Sequence, residues 1–113
     1  MKPKRSERLG REIQRQLGSI FLDITRNYEE FRDKLISVTA VNMTPDLLEA
    51  RVYLSIFPSK DANNILEKIK EMKNEIRFLL GKQISHIRRI PDLKFFLDDT
   101  LDNFEKIDNL LKQ

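Results

Sequence analysis

Apolar residues recur at helical spacing near the start of the chain and at alternate positions in the segments that follow. In residues 6–25 they are three or four positions apart, which places them on one side of a helix. In residues 36–41 and 50–56 they alternate with other residues and β-branched side chains dominate, as is typical of strands. Because the turn sequence TPDL separates these two segments and Pro58 follows them, an antiparallel hairpin is predicted.

The helical pattern returns after the hairpin. Ser59 or Asp61 can cap a helix whose apolar face extends to Gly81. The sequence MKN at residues 72–74 could hold a bend, since asparagine accepts the left-handed conformation more readily than most residues. Periodicity alone does not decide between a straight helix and a bent one.

A third strand and a last short helix complete the predicted elements. Residues 92–97 alternate in polarity, which predicts that Phe95 lies in the core and leaves Phe96 either in the core or in solvent. A short amphipathic helix capped at residue 99 or 100 follows. A hairpin and a later strand, with helices packed on one face, define an α+β fold. The length of 113 residues suits one domain spanning residues 1–113.

Composition leaves little room for catalysis. The chain has no cysteine and only one histidine, His86, so thiol chemistry and disulfides are excluded. A lone histidine next to Ile84 and Ile87 is more often a surface or packing residue than a metal ligand. The adjacent Asp98 and Asp99 point to opposite faces of a strand, which favours capping or solvation over acid–base chemistry. Three glycines form no nucleotide-binding motif, so we expect no enzyme, metal, cofactor or small-molecule substrate.

Charge and hydropathy place the chain among folded, soluble proteins. Hydrophobic residues make up 40% and charged residues 35% of the sequence, too apolar a composition for a disordered chain. The basic opening leads into no continuous apolar run, so neither a signal peptide nor a membrane span is predicted and a cytoplasmic location is expected.

The net charge of +3 is distributed unevenly along the chain. Residues 1–18 hold six basic side chains against two acidic ones, whereas residues 92–113 hold three basic against six acidic. Such an asymmetry suggests a polyanionic partner that is bound in one orientation.

Four of the basic residues form a stripe on the first helix. At about 100° per residue they fall within an arc of roughly 60° on the side opposite the apolar residues. A charged stripe is what any surface helix requires, so a solvated face and a phosphate contact both remain open. The stripe consists of Lys4, Arg8, Arg11 and Arg15.

Arg88 and Arg89 interrupt an apolar run in the sequence IRRIPDL. In an extended segment only one of two adjacent side chains can share the face of the buried neighbours, and Pro91 favours an extended residue before it. A planar guanidinium fixed there suits phosphate oxygens or a structural carboxylate such as Asp92. A structural ion pair therefore rivals a binding role.

Three stretches of the sequence together resemble one known family. RSERLGREIQRQL, VTAVNMTPDLLEARVYLSIF and EIRFLLGKQISHIRRIPDLKFFLDDT, in this order and at these distances, are similar to ribosome-binding factor A. The resemblance covers essentially the whole chain. It implies a type II KH-like fold, helix-strand-strand-helix-helix-strand, with helices on a three-stranded sheet and a short C-terminal helix.

The resemblance also implies a function. It indicates a non-enzymatic, monomeric factor that binds the free, immature small ribosomal subunit and its rRNA, and assists late assembly and 5′ end processing of 16S rRNA. The family has an Ala-x-Gly kink between its middle helices, where this chain has residues 72–74, with methionine in place of alanine and asparagine in place of glycine.

Candidate RNA-binding residues come from the resemblance and from the basic stripe. By position, Arg5 and Arg8 match the family's basic helix start, and Lys82 and Arg88 its basic segment before the third strand. The hypothesis is one basic surface that contacts the rRNA backbone. It consists of Lys4, Arg5, Arg8, Arg11, Arg15, Lys82 and Arg88, with Arg89 as a further candidate.

Two other functions remain open from the residues. One is a general module for RNA or DNA, and the other is a protein-interaction domain whose charges only keep it soluble. A missing GxxG loop and sparse aromatic residues disfavour sequence-specific reading of single-stranded RNA in the KH mode.

Overall fold

The computed structural model describes residues 4–98. Three helices and three strands occur there in the order α-β-β-α-α-β, which confirms the predicted α+β fold. The predicted short helix after residue 98 lies outside the described residues. The elements are α1 Arg5–Asn27, β1 Leu35–Met43, β2 Glu49–Phe57, α2 Ala62–Glu71, α3 Lys73–Gln83 and β3 Asp92–Leu97, with 3₁₀ turns at Glu29–Phe31 and Ser59–Asp61.

The sheet is mixed and has β2 in its centre. β1 pairs with β2 in antiparallel fashion, which confirms the hairpin, and β3 pairs with the other side of β2 in parallel. In the hairpin turn the Asp46 carboxylate accepts hydrogen bonds from the Thr44 hydroxyl (2.6 Å) and the Leu48 backbone N–H (3.1 Å). Leu47 adopts a positive φ of 64°, and the chain reverses direction at the sequence TPDL, as predicted.

A bulge in β1 breaks the strict alternation that its sequence shows. Val38 pairs with Leu54 but Ala40 pairs with Tyr53, so Thr39 is an extra residue in the strand. After the bulge Val41, not Ala40, packs against the core. The Thr39 hydroxyl donates to the Asp98 carboxylate at 2.5 Å, so Asp98 links β1 to the end of β3.

The core lies between the three helices and one face of the sheet. The strands β2 and β3 contribute Val52, Leu54 and Phe95, among others. The buried apolar side chains of α1 are Leu9, Ile13, Leu17, Ile20, Phe21 and Ile24. A Cβ added at Gly10 would lie 2.9 Å from the carbonyl oxygen of Val41, so glycine permits this close approach of α1 to β1. Phe95 is one of the buried core residues, as predicted.

The region 62–83 forms two helices, with the bend at Met72. Met72 has φ −88° and ψ 7°, and its N–H donates to the carbonyls of Lys68 and Ile69. Asn74 lies within α3 and has no positive φ, so the left-handed asparagine that we considered is not the cause of the bend. The second helix also continues two residues past Gly81, to Gln83.

Asp61 occupies the N-cap position of α2 but makes no side-chain cap hydrogen bond. Its carboxylate instead accepts a hydrogen bond from the Lys34 ammonium at 2.5 Å, which ties the start of α2 to the segment before β1. This contact lowers the pKa of Asp61, with the hydrogen bond from Lys34 as the largest cause. Ser59 lies one turn earlier, in a 3₁₀ turn, so neither residue caps in the predicted manner.

Candidate nucleic-acid interface

The segment between α3 and β3 is tied to the core at both ends. Ile84 and Pro91 are buried, and the Ile84 N–H donates to the Leu80 carbonyl at 2.9 Å. The Arg77 guanidinium donates to the carbonyls of Ile90 (2.8 Å) and Pro91 (3.2 Å). Because hydrogen bonds from a charged donor are stronger than neutral ones, Arg77 anchors the end of this segment that leads into β3.

Arg88 and Arg89 lie in this segment and are both exposed. Residues 85–89 form turns and bends, so the extended geometry that we expected, with one arginine facing the core, is wrong. Asp92 bonds to Lys73 at 3.1 Å instead, and that hydrogen bond is the main cause of its lowered pKa. The structure therefore does not support the alternative in which Asp92 holds either arginine.

The start of α1 lies against this segment and forms a groove with it. His86 Nε2 is 3.2 Å from the Glu12 carboxylate, an ion pair when His86 is protonated. The groove has a volume of about 540 Å³. We call it the arginine groove; its lining residues are Arg5, Arg8, Leu9, Glu12, Asp46, Leu47, Leu48, His86, Ile87, Arg88 and Arg89.

The arginine groove has a positive net charge. Four guanidinium groups line it against two carboxylates, a balance of +2 with His86 neutral. Asp46 is committed to the hairpin turn, since the hydrogen bond from Thr44 and a second one from the Leu48 N–H lower its pKa. Among residues 4–98 none of the four arginines forms an ion pair, and all four are exposed.

The other four candidates lie outside the groove. Lys4, which precedes α1, is exposed, as are Arg11 and Arg15 on α1, and Arg8 belongs both to their stripe and to the groove. Lys82 is exposed on α3, with its ammonium 4.6 Å from the centroid of the Phe78 ring. The structure thus brings Arg5, Arg8, Arg88 and Arg89 together, whereas an RNA-binding role for any of the eight stays a prediction.

The sequence did not place three parts of the groove lining there: Glu12, His86 and the hairpin turn. Glu12 follows Arg8 by four positions, so the helical pattern alone indicates that the two side chains share one side of α1. Nothing in the sequence shows that the turn around Asp46 lies beside them, because that depends on how α1 crosses the sheet.

The part of the chain that the structure describes offers no site for a metal. No three histidine, aspartate or glutamate side chains in residues 4–98 cluster closely enough to hold an ion. No helix in the same residues is long and apolar enough to cross a membrane.

The element order, the mixed three-stranded sheet and the helices on one face define a KH-like α+β protein, here with an arginine-lined groove at the start of α1. The chain belongs to the ribosome-binding factor A family, whose model matches residues 5–111. Members of this family are ribosome assembly factors without catalytic activity.

Individual relatives agree with this assignment. Ribosome-binding factor A from Cytophaga hutchinsonii is 39% identical over 114 residues, which cover 100% of this chain and 84% of the relative. The crystal structure of ribosome-binding factor A from Thermus thermophilus has the same fold, with a TM-score of 0.67 and 20% identity over 83% of this chain and 97% of that one. A homology model of the Thermus thermophilus factor was fitted into a cryo-EM map of its complex with the 30S subunit. Its TM-score is 0.63 and its sequence identity 22%, over 82% of this chain and 94% of that one.

Proposed function

We propose that this chain binds the immature small ribosomal subunit through the backbone of its rRNA. It assists late assembly of the subunit and 5′ end processing of 16S rRNA, as a cytoplasmic monomer in which residues 1–113 act as one domain. Family membership supports the ribosomal partner, and the relative from Thermus thermophilus forms a complex with the 30S subunit.

The arginine groove is the observation that carries the proposal. Two segments far apart in the sequence place four arginines around one concavity, and no carboxylate in residues 4–98 forms an ion pair with them. Guanidinium groups match phosphate oxygens with paired hydrogen bonds, and a concave site can approach two neighbouring phosphates.

The groove favours recognition of RNA shape over RNA sequence. Double-stranded RNA presents its phosphates and 2′-hydroxyls to proteins, while its deep major groove hides the bases from side chains. The lining of the groove contains no phenylalanine, tyrosine or tryptophan on which a base could stack. Its contacts should therefore position the protein on the subunit without reading bases.

The test is co-sedimentation with immature and mature small subunits across a salt series. The wild-type chain should bind the immature particle preferentially, and binding should weaken as salt rises because phosphate contacts release counterions. Arg8→Ala/Arg88→Ala should lower affinity by roughly tenfold and reduce the slope of log affinity against log salt by about 2, one for each lost phosphate contact.

Arg26→Ala is the matched control. Arg26 is exposed on the same side of α1 as Arg8, since eighteen residues make five full turns, but lies about 27 Å further along the axis. It should change neither affinity nor slope. Because Arg8 and Arg88 are exposed, their replacement should also alter the free energy of unfolding by no more than about 0.5 kcal/mol. A large loss of stability with unchanged affinity would instead mean that these arginines are structural.

The same experiment separates the rival functions. Equal binding to free RNA and to both particles would indicate a general RNA-binding module. Binding that is indifferent to salt would favour a protein-interaction domain.

A further inference from the structure

Among the residues that the structure describes, the arginine groove contains one carboxylate that neither an arginine nor the hairpin turn holds. Asp46, one of the two acidic residues of the lining, accepts hydrogen bonds from Thr44 and Leu48 and belongs to the turn. Glu12 is the other. One of its carboxylate oxygens lies 3.2 Å from His86 Nε2, and within residues 4–98 neither oxygen has any further hydrogen-bond or ion-pair partner.

Glu12 stays unpaired although four guanidinium groups line the same groove. Arg8 precedes it by four positions on α1, a spacing that permits an ion pair on a helix surface. Within residues 4–98 no ion pair joins these two residues, nor does one join Glu12 to another arginine of the groove. The Glu12 side chain is only 26% exposed. Glu12 therefore keeps an available acceptor oxygen inside a cationic site that is partly withdrawn from water.

A carboxylate in a phosphate-binding groove opposes binding, since it repels the phosphates that the arginines attract. This repulsion is offset when the carboxylate accepts a hydrogen bond from the same ligand. The phosphate oxygens and the ring oxygen of the sugar are acceptors and cannot supply that bond. The 2′-hydroxyl is the one donor that an RNA backbone offers, and it recurs at every nucleotide.

We infer that Glu12 accepts a hydrogen bond from a 2′-hydroxyl of the bound RNA and thereby makes the arginine groove selective for ribose over deoxyribose. The inference rests on the proposed function, in which Arg8 and Arg88 contact phosphates. In A-form RNA the 2′-hydroxyls line the wide, shallow minor groove, where side chains reach them without reading a base. The arginines supply affinity for any phosphate backbone, and Glu12 adds the discrimination that they lack.

His86 is the positioning residue for this carboxylate. Its contact with Glu12 joins α1 to residues 85–89, the segment that carries Arg88 and Arg89. The His86 side chain is 64% exposed, so the contact contributes little to the stability of the fold. What the contact does is restrain one oxygen of Glu12, which leaves the second oxygen for the hydroxyl.

The test compares two A-form duplexes that differ only at the 2′ position. A labelled RNA duplex and the same duplex with 2′-fluoro sugars, which keep the A-form geometry but cannot donate a hydrogen bond, are titrated with the full chain and followed by fluorescence anisotropy. The wild-type chain should bind the RNA duplex about fivefold more tightly, which corresponds to about 1 kcal/mol. Glu12→Ala should bind both duplexes equally. It should also bind the 2′-fluoro duplex more tightly than the wild-type chain does, because a repulsive charge has been removed.

Glu7→Ala is the matched control. Glu7 is exposed on the same helix but does not line the groove, so its replacement removes the same charge without removing the acceptor. The ratio of the two affinities should stay at about fivefold, as in the wild-type chain. Glu12→Gln keeps an acceptor oxygen and the shape of the side chain, so it provides the answer even if Glu12→Ala fails to fold. Its ratio should fall to about twofold, because hydrogen bonds to a charged acceptor are roughly twice as strong as neutral ones.

Equal affinity of the wild-type chain for the two duplexes would overturn the inference. The fluoro sugars leave the amino groups of the bases in place, so that result would mean that Glu12 contacts a base or no RNA group at all. A preference that Glu12→Ala retains would also overturn it, because the hydroxyl would then be recognised elsewhere. His86→Ala should lower the ratio, and an unchanged ratio would remove His86 from the positioning role. Failure of the proposed function is separate: the wild-type chain would then not sediment with small subunits, whatever its preference between duplexes.

Discussion

Gly10 and Gly18 lie on the same helix, yet their replacement by alanine should have opposite effects. Gly10 is buried, and an added Cβ would lie 2.9 Å from the carbonyl oxygen of Val41 and 3.5 Å from Cγ of Met43. At Gly18 nothing lies within 4 Å of an added Cβ. The two substitutions are chemically identical and differ only in what the new methyl group meets.

Both changes gain about 1 kcal/mol of helix propensity, because alanine loses less backbone entropy than glycine in a helix. At Gly18 this gain is the whole effect, and the melting temperature should rise by about 4 °C for a domain of this size. At Gly10 the contact is with a backbone atom of β1, which can move only if the strand or the helix moves. Overpacking of this kind costs about 1–3 kcal/mol, so the net change at Gly10 should be a loss of up to about 2 kcal/mol.

The Gly10 change should also weaken subunit binding. Gly10 lies between Arg8 and Glu12, so a shift of α1 away from β1 moves one wall of the arginine groove. Thermal unfolding followed by circular dichroism and co-sedimentation of both variants measure the two effects. If Gly10→Ala stabilises the chain as much as Gly18→Ala, the close approach of α1 to β1 and the groove geometry that follows from it are refuted.

Two further predictions concern the supports of the interface and the response to acid. Arg77→Met should lower the free energy of unfolding by about 2 kcal/mol and weaken subunit binding, because it removes the hydrogen bonds to the Ile90 and Pro91 carbonyls. Unchanged binding in co-sedimentation would mean that residues 84–91 keep their position without Arg77. Hydrogen bonds lower the pKa of Asp46, Asp61 and Asp92 in the folded state. The stabilisation is therefore present above the unfolded-state pKa of about 4 and is lost as pH falls through the lowered pKa values of the folded state. Melting temperatures measured from pH 5 downwards should decline, and a constant melting temperature would contradict the three contacts.

The elements with strong periodicity could be predicted from the sequence, because their signal is local. The apolar spacing on α1 and the alternation in β2 each report which side of one element is buried. The bulge at Thr39 has no such signal, since it appears only in the pairing of two strands. The bend at Met72 and the parallel pairing of β3 likewise depend on how α2 and α3 return the chain to the sheet.

The same distinction explains the outcome for the candidate site. Basic residues could be found by counting, and the stripe on α1 follows from helical spacing. Their grouping could not be found, because Arg5 joins Arg88 and Arg89 only through the packing of residues 84–91 beside α1. The sequence did not assign Phe96 to core or solvent. Alternation places its ring on the face of β3 opposite Phe95 but does not show whether that face is covered.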